Sequence, residues 1–291
     1  MISWCFMKNG ILKVLFASVL VAVLASCCKS VPDPLMKGHS VWTVSGVAFD
    51  NRDFSGLDFS FDSTRFVTVF NSAGVYWMDI PCEGDTVLNT SPLRPSMDMK
   101  RDLESVTVNR ETGDIYYAQE RKTFIKKTGE LVYAGNTIYR LSAPDYSQET
   151  AVFSFDTSYV SANNIGLEGL TWVKGDRFLA GREGSRSKNP APAIIDLSLS
   201  KGIASVMEAP KEIKQIAEVV FDRERRCLWI LDSDFDRMLY RCTLKGGILN
   251  AYNIGYIRNA EGLCLDRDRK CIWIASDEKP SKLYRIDFEN L

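Results

Sequence analysis

Residues 167–182 read Leu-Glu-Gly-Leu-Thr-Trp-Val-Lys-Gly-Asp-Arg-Phe-Leu-Ala-Gly-Arg. A short apolar strand opens on Leu167-Glu168-Gly169-Leu170, a turn carrying Gly175 and Asp176 follows, and Arg177–Arg182 continues as a second strand. The opening phrase occurs four more times: Phe54-Ser55-Gly56-Leu57, Leu103-Glu104-Ser105-Val106, Ala217-Glu218-Val219-Val220 and Ala260-Glu261-Gly262-Leu263. Its second positions fall 49, 64, 50 and 43 residues apart, which is the signature of a repeat architecture.

Each phrase leads into the same series. Second strands are expected at 65–70, 114–119, 177–182, 227–232 and 271–276, third strands at 75–80, 137–141, 193–197, 238–243 and 282–287, and fourth strands at 85–90, 149–155, 202–208 and 248–254. Residues 121–136 form an insertion in the second unit. The fifth unit ends at Leu291 without a fourth strand, while the β-rich segment Val41–Phe49 precedes the first unit without a partner. The chain is therefore expected to be all-β: a five-bladed β-propeller of four-stranded antiparallel blades, closed by the N-terminal strand joining the last blade. Closure of that kind removes the open sheet edges of a linear array.

With 36 basic and 37 acidic residues in 291, the chain has a formal charge of −1 and no basic run, so nucleic acid is not an expected partner. One histidine, His39, excludes a zinc site built on several histidines and leaves little for a His-based triad. No oligomerisation signal is present, and a monomer is expected.

Residues 1–26 are read as a lipoprotein signal peptide. Lys8 and Lys13 form its basic region, and the 12-residue apolar run Val14–Ala25 is too short to span a membrane. The run ends in Leu24-Ala25-Ser26-Cys27, like the lipobox of bacterial lipoproteins, with Cys27 taking the lipid. Acyl chains at Cys27 would anchor the chain to a membrane of the bacterial cell envelope, the outer membrane being preferred. Residues 27–40 are expected to be the lipidated cysteine and a tether, and residues 41–291 a single domain. The remaining cysteines, Cys28, Cys82, Cys227, Cys242, Cys264 and Cys271, show no CxxC spacing; several lie in apolar strands, and no disulfide pairing is assigned.

The repeated D-L-E-S, G-L-E-G-L and A-E-G-L phrases are each followed by an aromatic strand and, in the later units, by an L-Y-R strand. Together they resemble the SdiA-regulated family of bacterial envelope proteins. They are also similar to families named for an esterase-like or phytase-like domain and, more distantly, to NHL-repeat propellers. The resemblance covers about Val41 to Leu291 and implies a five-bladed propeller with a calcium site near the central axis; it implies no established reaction.

The physical reading of the repeats agrees. The first strand of a propeller blade is innermost, so Glu104, Glu168, Glu218 and Glu261 are expected at one channel mouth, with Ser55 in the fifth place. Clustered carboxylates must be protonated, neutralised by arginine or bound to a cation. Ca²⁺, which takes 6–8 oxygen ligands, suits such a ring better than Mg²⁺. The competing reading is an ion-pair ring using Arg121 and Arg182. A second layer is expected from Glu120, Arg121, Arg182, Glu183, Asp232 and Asp277, the last two following Trp-containing strands in matching places. Ser105 and Val219 replace the usual glycine after Glu104 and Glu218, so Glu168 and Glu261 are the firmer ligand assignments. Trp77, Trp172, Trp229 and Trp273 are read as packing between blades.

The function expected is a lipid-anchored binding or scaffold module for a small-molecule or protein ligand. The alternative is a Ca²⁺-dependent hydrolase of a phosphoester, ester or lactone, with a ring glutamate as general base and Arg121, Arg182, Arg186 and Lys188 holding an anionic substrate. No G-x-S-x-G nucleophile elbow is present.

Overall fold

The computed structural model describes residues 33–45, 53–71, 73–95, 102–120, 123–125, 131–133, 135–156, 159, 166–184, 190–233 and 237–291. The signal peptide, Cys27, Cys28, Arg121, Arg186 and Lys188 lie outside them. The chain forms β1 (Leu35–Ser45), then β2 (Phe54–Phe59), β3 (Arg65–Phe70), β4 (Gly74–Asp79) and β5 (Val87–Pro95). Next come β6 (Asp102–Val108), β7 (Ile115–Glu120), β8 (Thr123–Ile125), β9 (Leu131–Tyr133), β10 (Thr137–Leu141) and β11 (Glu149–Ser154). The third unit holds β12 (Leu167–Lys174), β13 (Arg177–Arg182), β14 (Ala193–Ser198) and β15 (Gly202–Glu208); the fourth holds β16 (Ile216–Asp222), β17 (Cys227–Asp232), β18 (Met238–Thr243) and β19 (Ile248–Asn253). The last strands are β20 (Ala260–Asp266), β21 (Cys271–Ser276) and β22 (Lys282–Glu289). No α-helix occurs among the described residues.

The strands assemble into four-stranded antiparallel sheets, as in a β-propeller. The orders β11-β10-β7-β6, β12-β13-β14-β15 and β16-β17-β18-β19 form three of them. The strands of the first and last units merge into one larger sheet, β2-β3-β4-β5-β1-β22-β21-β20. Within it β1 completes the last unit by antiparallel pairing with β22, from Leu35↔Glu289 to Thr43↔Lys282. A short parallel contact, Thr43↔Val87 to Ser45↔Asn89, then ties β1 to β5. First strands touch in the order β2, β6, β12, β16, β20 and back to β2, so they surround a common axis. The 121–136 insertion contains the hairpin β8–β9.

β1 begins at Leu35, so residues 35–40 of the segment expected to be a tether already belong to the sheet. Tyr252 Oη donates to Pro34 O at 2.7 Å, and Arg241, 7% exposed at its side chain, pairs with Asp33. His39, expected in the tether, lies in β1 and stacks on Tyr256 with ring centroids 4.2 Å apart.

The apolar core lies between neighbouring sheets rather than at the axis. Trp229 and Trp273 are buried in it, and their indole N–H groups reach Asp222 and Asp266 at 3.3 and 3.1 Å. A buried indole needs such a partner, and this one also fixes where the first strand ends. Trp172 is buried as well, bonding Gly175 O at 2.9 Å. Cys227, Cys242, Cys264 and Cys271 are buried free thiols, and burial pushes the first two up to about 11 and about 12; Cys82 is exposed.

Neighbouring first strands are also joined by side chains. Asp58 accepts from Val108 N at 2.8 Å, Thr107 from Trp172 N at 3.1 Å and Thr171 from Phe221 N at 3.1 Å, each bond passing to the next sheet around the axis. Glycine permits the close approach that these bonds require. A Cβ on Gly56 would lie 2.9 Å from Ser105 Cα, and one on Gly262 would lie 2.8 Å from Gly56 Cα.

Candidate metal centre at the channel mouth

Every first strand carries a bulge where it enters the sheet. Register slips between Phe54 and Gly56, Leu103 and Ser105, Leu167 and Gly169, Ile216 and Glu218, and Ala260 and Gly262. The residues left unpaired are Ser55, Glu104, Glu168, Ala217 and Glu261. A bulge re-aims its extra residue, and here that residue belongs to the channel mouth.

The fourth unit therefore differs from the expectation that Glu218 joins Glu104, Glu168 and Glu261. Glu218 pairs with Leu231 as Gly262 pairs with Ala275, one position beyond the bulge. It is 1% exposed and accepts from Ser105 Oγ at 2.6 Å, Val219 N at 2.9 Å and Leu170 N at 3.0 Å. Gly56, Ser105, Gly169 and Gly262 occupy the matching positions of the other units and leave it room. Burial pushes its carboxyl well above the usual glutamate range, against the pull of these three donors.

At the mouth, oxygens of Asp102, Glu104 and Glu120 lie within 4.8 Å of one another, as do oxygens of Glu120, Glu168 and Glu183. Glu120 links the two groups, and a Cβ on Gly166 would lie 2.0 Å from Glu120 Cγ. Asp102 and Glu120 are also direct cross-strand partners on β6 and β7, an arrangement that is repulsive when both are charged. Asn71 Nδ2 donates to Glu104 Oε1 at 2.8 Å, and Gln215 Nε2 donates to Glu183. Ser55 Oγ lies 3.1 Å from Asp53 O and within reach of Glu104, its single proton serving one of them at a time.

The electrostatics of the mouth are one-sided. Burial raises Glu168 well above its ordinary range, and the charges of Glu104, Glu120, Glu183 and Glu261 raise it further. Glu104 is raised by burial, Asp102, Glu120 and Glu261, opposed by Ser55. Glu261 is pushed up to about 8 by burial, Asp277 and Glu183.

The second-layer residues divide. Glu120 and Glu183 belong to the clusters. Asp277 accepts Asp53 N at 2.5 Å and acts electrostatically on Glu261. Asp232 instead caps a turn, accepting Lys214 N at 2.8 Å and Gln215 N at 3.3 Å. The two aspartates do not match in register, because Asp232 pairs with Ile216 whereas Ser276 pairs with Ala260. Arg182 turns to backbone carbonyls, giving Nε and Nη2 to Ala191 O at 3.0 and 2.7 Å and Nη1 to Tyr159 O at 2.8 Å. Sequence reading missed Asp102, whose membership depends on the β6–β7 register.

Strands around an axis, with carboxylates gathered at one end, define the molecule as a β-propeller with an acidic mouth. The SdiA-regulated family model matches residues 41–287, and the chain belongs to that family. No curated protein sequence matches it. Among solved structures it is similar to a Bacteroides thetaiotaomicron protein of unknown function, with 8% identity, TM-score 0.51 and coverage of 88% of this chain and 77% of that one. It is also similar to a gluconolactonase from Xanthomonas campestris (11% identity, TM-score 0.48, 90% and 99% coverage) and to a chain of the nidogen/laminin complex (9%, 0.49, 78% and 73%). At these identities the likeness concerns the fold alone.

Proposed function

We propose that the protein is a five-bladed propeller, lipid-anchored at the bacterial cell envelope through Cys27, that binds Ca²⁺ at its acidic mouth and serves as a binding or scaffold module. The blade count is supported by 20 strands in four-stranded sets around the axis, with β1 as the last unit's fourth strand.

The observation that carries the calcium reading is the pair of carboxylate clusters sharing Glu120. Three features fit a hard cation: Asp102 faces Glu120 across the strands, the strongest charges acting on Glu168 are all negative, and Arg182 is held by carbonyls. Carboxylates from several strands at a wide mouth suit the larger, geometrically tolerant Ca²⁺ better than octahedral Mg²⁺. Glu104, Glu120, Glu168 and Glu183, with Asp102, would hold it; Glu261 and Ser55 border them. Calorimetric titration tests this. Ca²⁺ should bind with one-to-one stoichiometry, and Glu120→Gln, which touches both clusters, should weaken it at least about tenfold, consistent with loss of a charged ligand. Wild-type affinity in that variant would refute the assignment. For the anchor, Cys27→Ser should move the protein from the membrane to the soluble fraction.

A further inference from the structure

The opposite end of the channel has a different chemistry. Counting five residues on from Gly56, Ser105, Gly169, Glu218 and Gly262 gives Phe61, Arg110, Lys174, Arg223 and Arg267, so four of five units place a cation there. Arg110, Arg223 and Arg267 line a single cavity of about 250 Å³ that reaches in to Glu218. Its walls are mixed: Leu57, Val106, Leu170, Val220 and Leu263 give apolar surface beside the carboxylates of Asp58, Asp222 and Glu224.

Two of the three arginines are occupied. Arg110 pairs with Asp58 at 2.5 Å and gives its other nitrogen to Ser60 O at 2.8 Å. Arg267 pairs with the buried Asp222 and, at 3.2 Å, with Glu224. Arg223 is held differently. Its guanidinium lies 3.8 Å from the centroid of the Trp172 ring and donates Nη2 to Val173 O at 2.8 Å. Stacking on an indole orients the planar fork without consuming its charge. Desolvation and the nearby Arg110 lower its pKa, opposed by the charges of Glu111 and Asp58. Asp58, Asp222 and Glu224 already have arginine partners, whereas among the described residues Arg223 bonds a backbone carbonyl and no carboxylate.

We propose that this end of the channel is a binding site for a small organic anion, a carboxylate on an apolar body. Arg223 receives the carboxylate at the rim and the apolar walls cover the body. The apolar part of the lining favours an organic anion over inorganic phosphate, which has no apolar body to cover it and would find one uncommitted guanidinium. The site lies at the opposite end from the acidic mouth and does not depend on a metal there.

Calorimetric titration of the full chain with benzoate, benzyl alcohol and inorganic phosphate tests the proposal. Benzoate should bind at least about tenfold more tightly than either comparison, as expected for a charge-assisted hydrogen bond. Arg223→Ala should remove that preference while leaving benzyl alcohol binding and Ca²⁺ binding as they are. Arg223→Lys, which keeps the charge but loses the stacked fork, should give an intermediate loss. Benzoate binding no better than benzyl alcohol, phosphate binding more tightly than benzoate, or Arg223→Ala retaining wild-type benzoate affinity would each overturn it.

Discussion

Glu218 accepts a 2.6 Å hydrogen bond from Ser105 Oγ, joining residues 113 positions apart and linking the fourth unit to the second across the axis. The same carboxyl takes the amides of Leu170 and Val219, so one side chain connects three units. It belongs to the interior of the channel, between the acidic mouth and the cavity lined by Arg110, Arg223 and Arg267.

Removing it should be costly. Glu218→Ala leaves buried donors without an acceptor, with an expected loss of about 3 kcal/mol of stability, since each such donor costs roughly 1–3 kcal/mol. Because burial favours the protonated carboxyl, Glu218→Gln is nearly isosteric with the native form and should cost about 1 kcal/mol or less. Urea denaturation of both variants checks this; equal losses would contradict it. Ca²⁺ affinity should be the same in Glu218→Gln as in wild type.

The position of Glu218 also shows how far sequence could be read. Repeat period, strand order and closure by the N-terminal strand follow from recurring phrases and alternating apolar residues, because blades repeat the same local physics. The mouth residues depend on where each bulge falls, which shifts the register by one. Ala217-Glu218 and Ala260-Glu261 look equivalent but are not. Asp222 and Asp266 stand seven residues before Trp229 and Trp273, each bonded to that indole. Counting back four from each aspartate gives Glu218 and Gly262. That spacing was the available signal. Asp102 had none, since its cluster forms only through pairing with Glu120.

Close approach of first strands predicts a sharp response at Gly169. A Cβ there would lie 2.7 Å from Val219 N and 3.0 Å from Glu218 Oε1, so Gly169→Ala should cost about 1–3 kcal/mol by overpacking. Gly38, in β1, has nothing within 4 Å, and Gly38→Ala should stay within about 0.5 kcal/mol of wild type. Chemical denaturation of the two variants measures the difference.

The acidic mouth makes stability depend on pH. Glu261 has its folded pKa raised from 4.5 to about 8, so the folded state retains a proton that the unfolded chain releases. Its contribution to stability is fully present below about pH 4.5 and is lost as pH rises through about 8. In EGTA, wild type should lose stability across that window, and Glu261→Gln should lose less. Ca²⁺ favours the ionised carboxylates and should bind more tightly as pH rises. Denaturation curves in EGTA from pH 5 to 9 test the sign, and a stability that climbs over that range would contradict it.

The thermal midpoint of the protein in excess EGTA, followed by restoration of Ca²⁺ or Mg²⁺, tests the metal centre most directly. A ligand bound only by the native state adds about 2.7 kcal/mol at a hundredfold excess over its Kd. The midpoint should rise more with Ca²⁺ than with Mg²⁺, and the rise should be lost in Glu120→Gln. An unchanged midpoint, or equal shifts with both ions, would contradict a calcium site at the mouth.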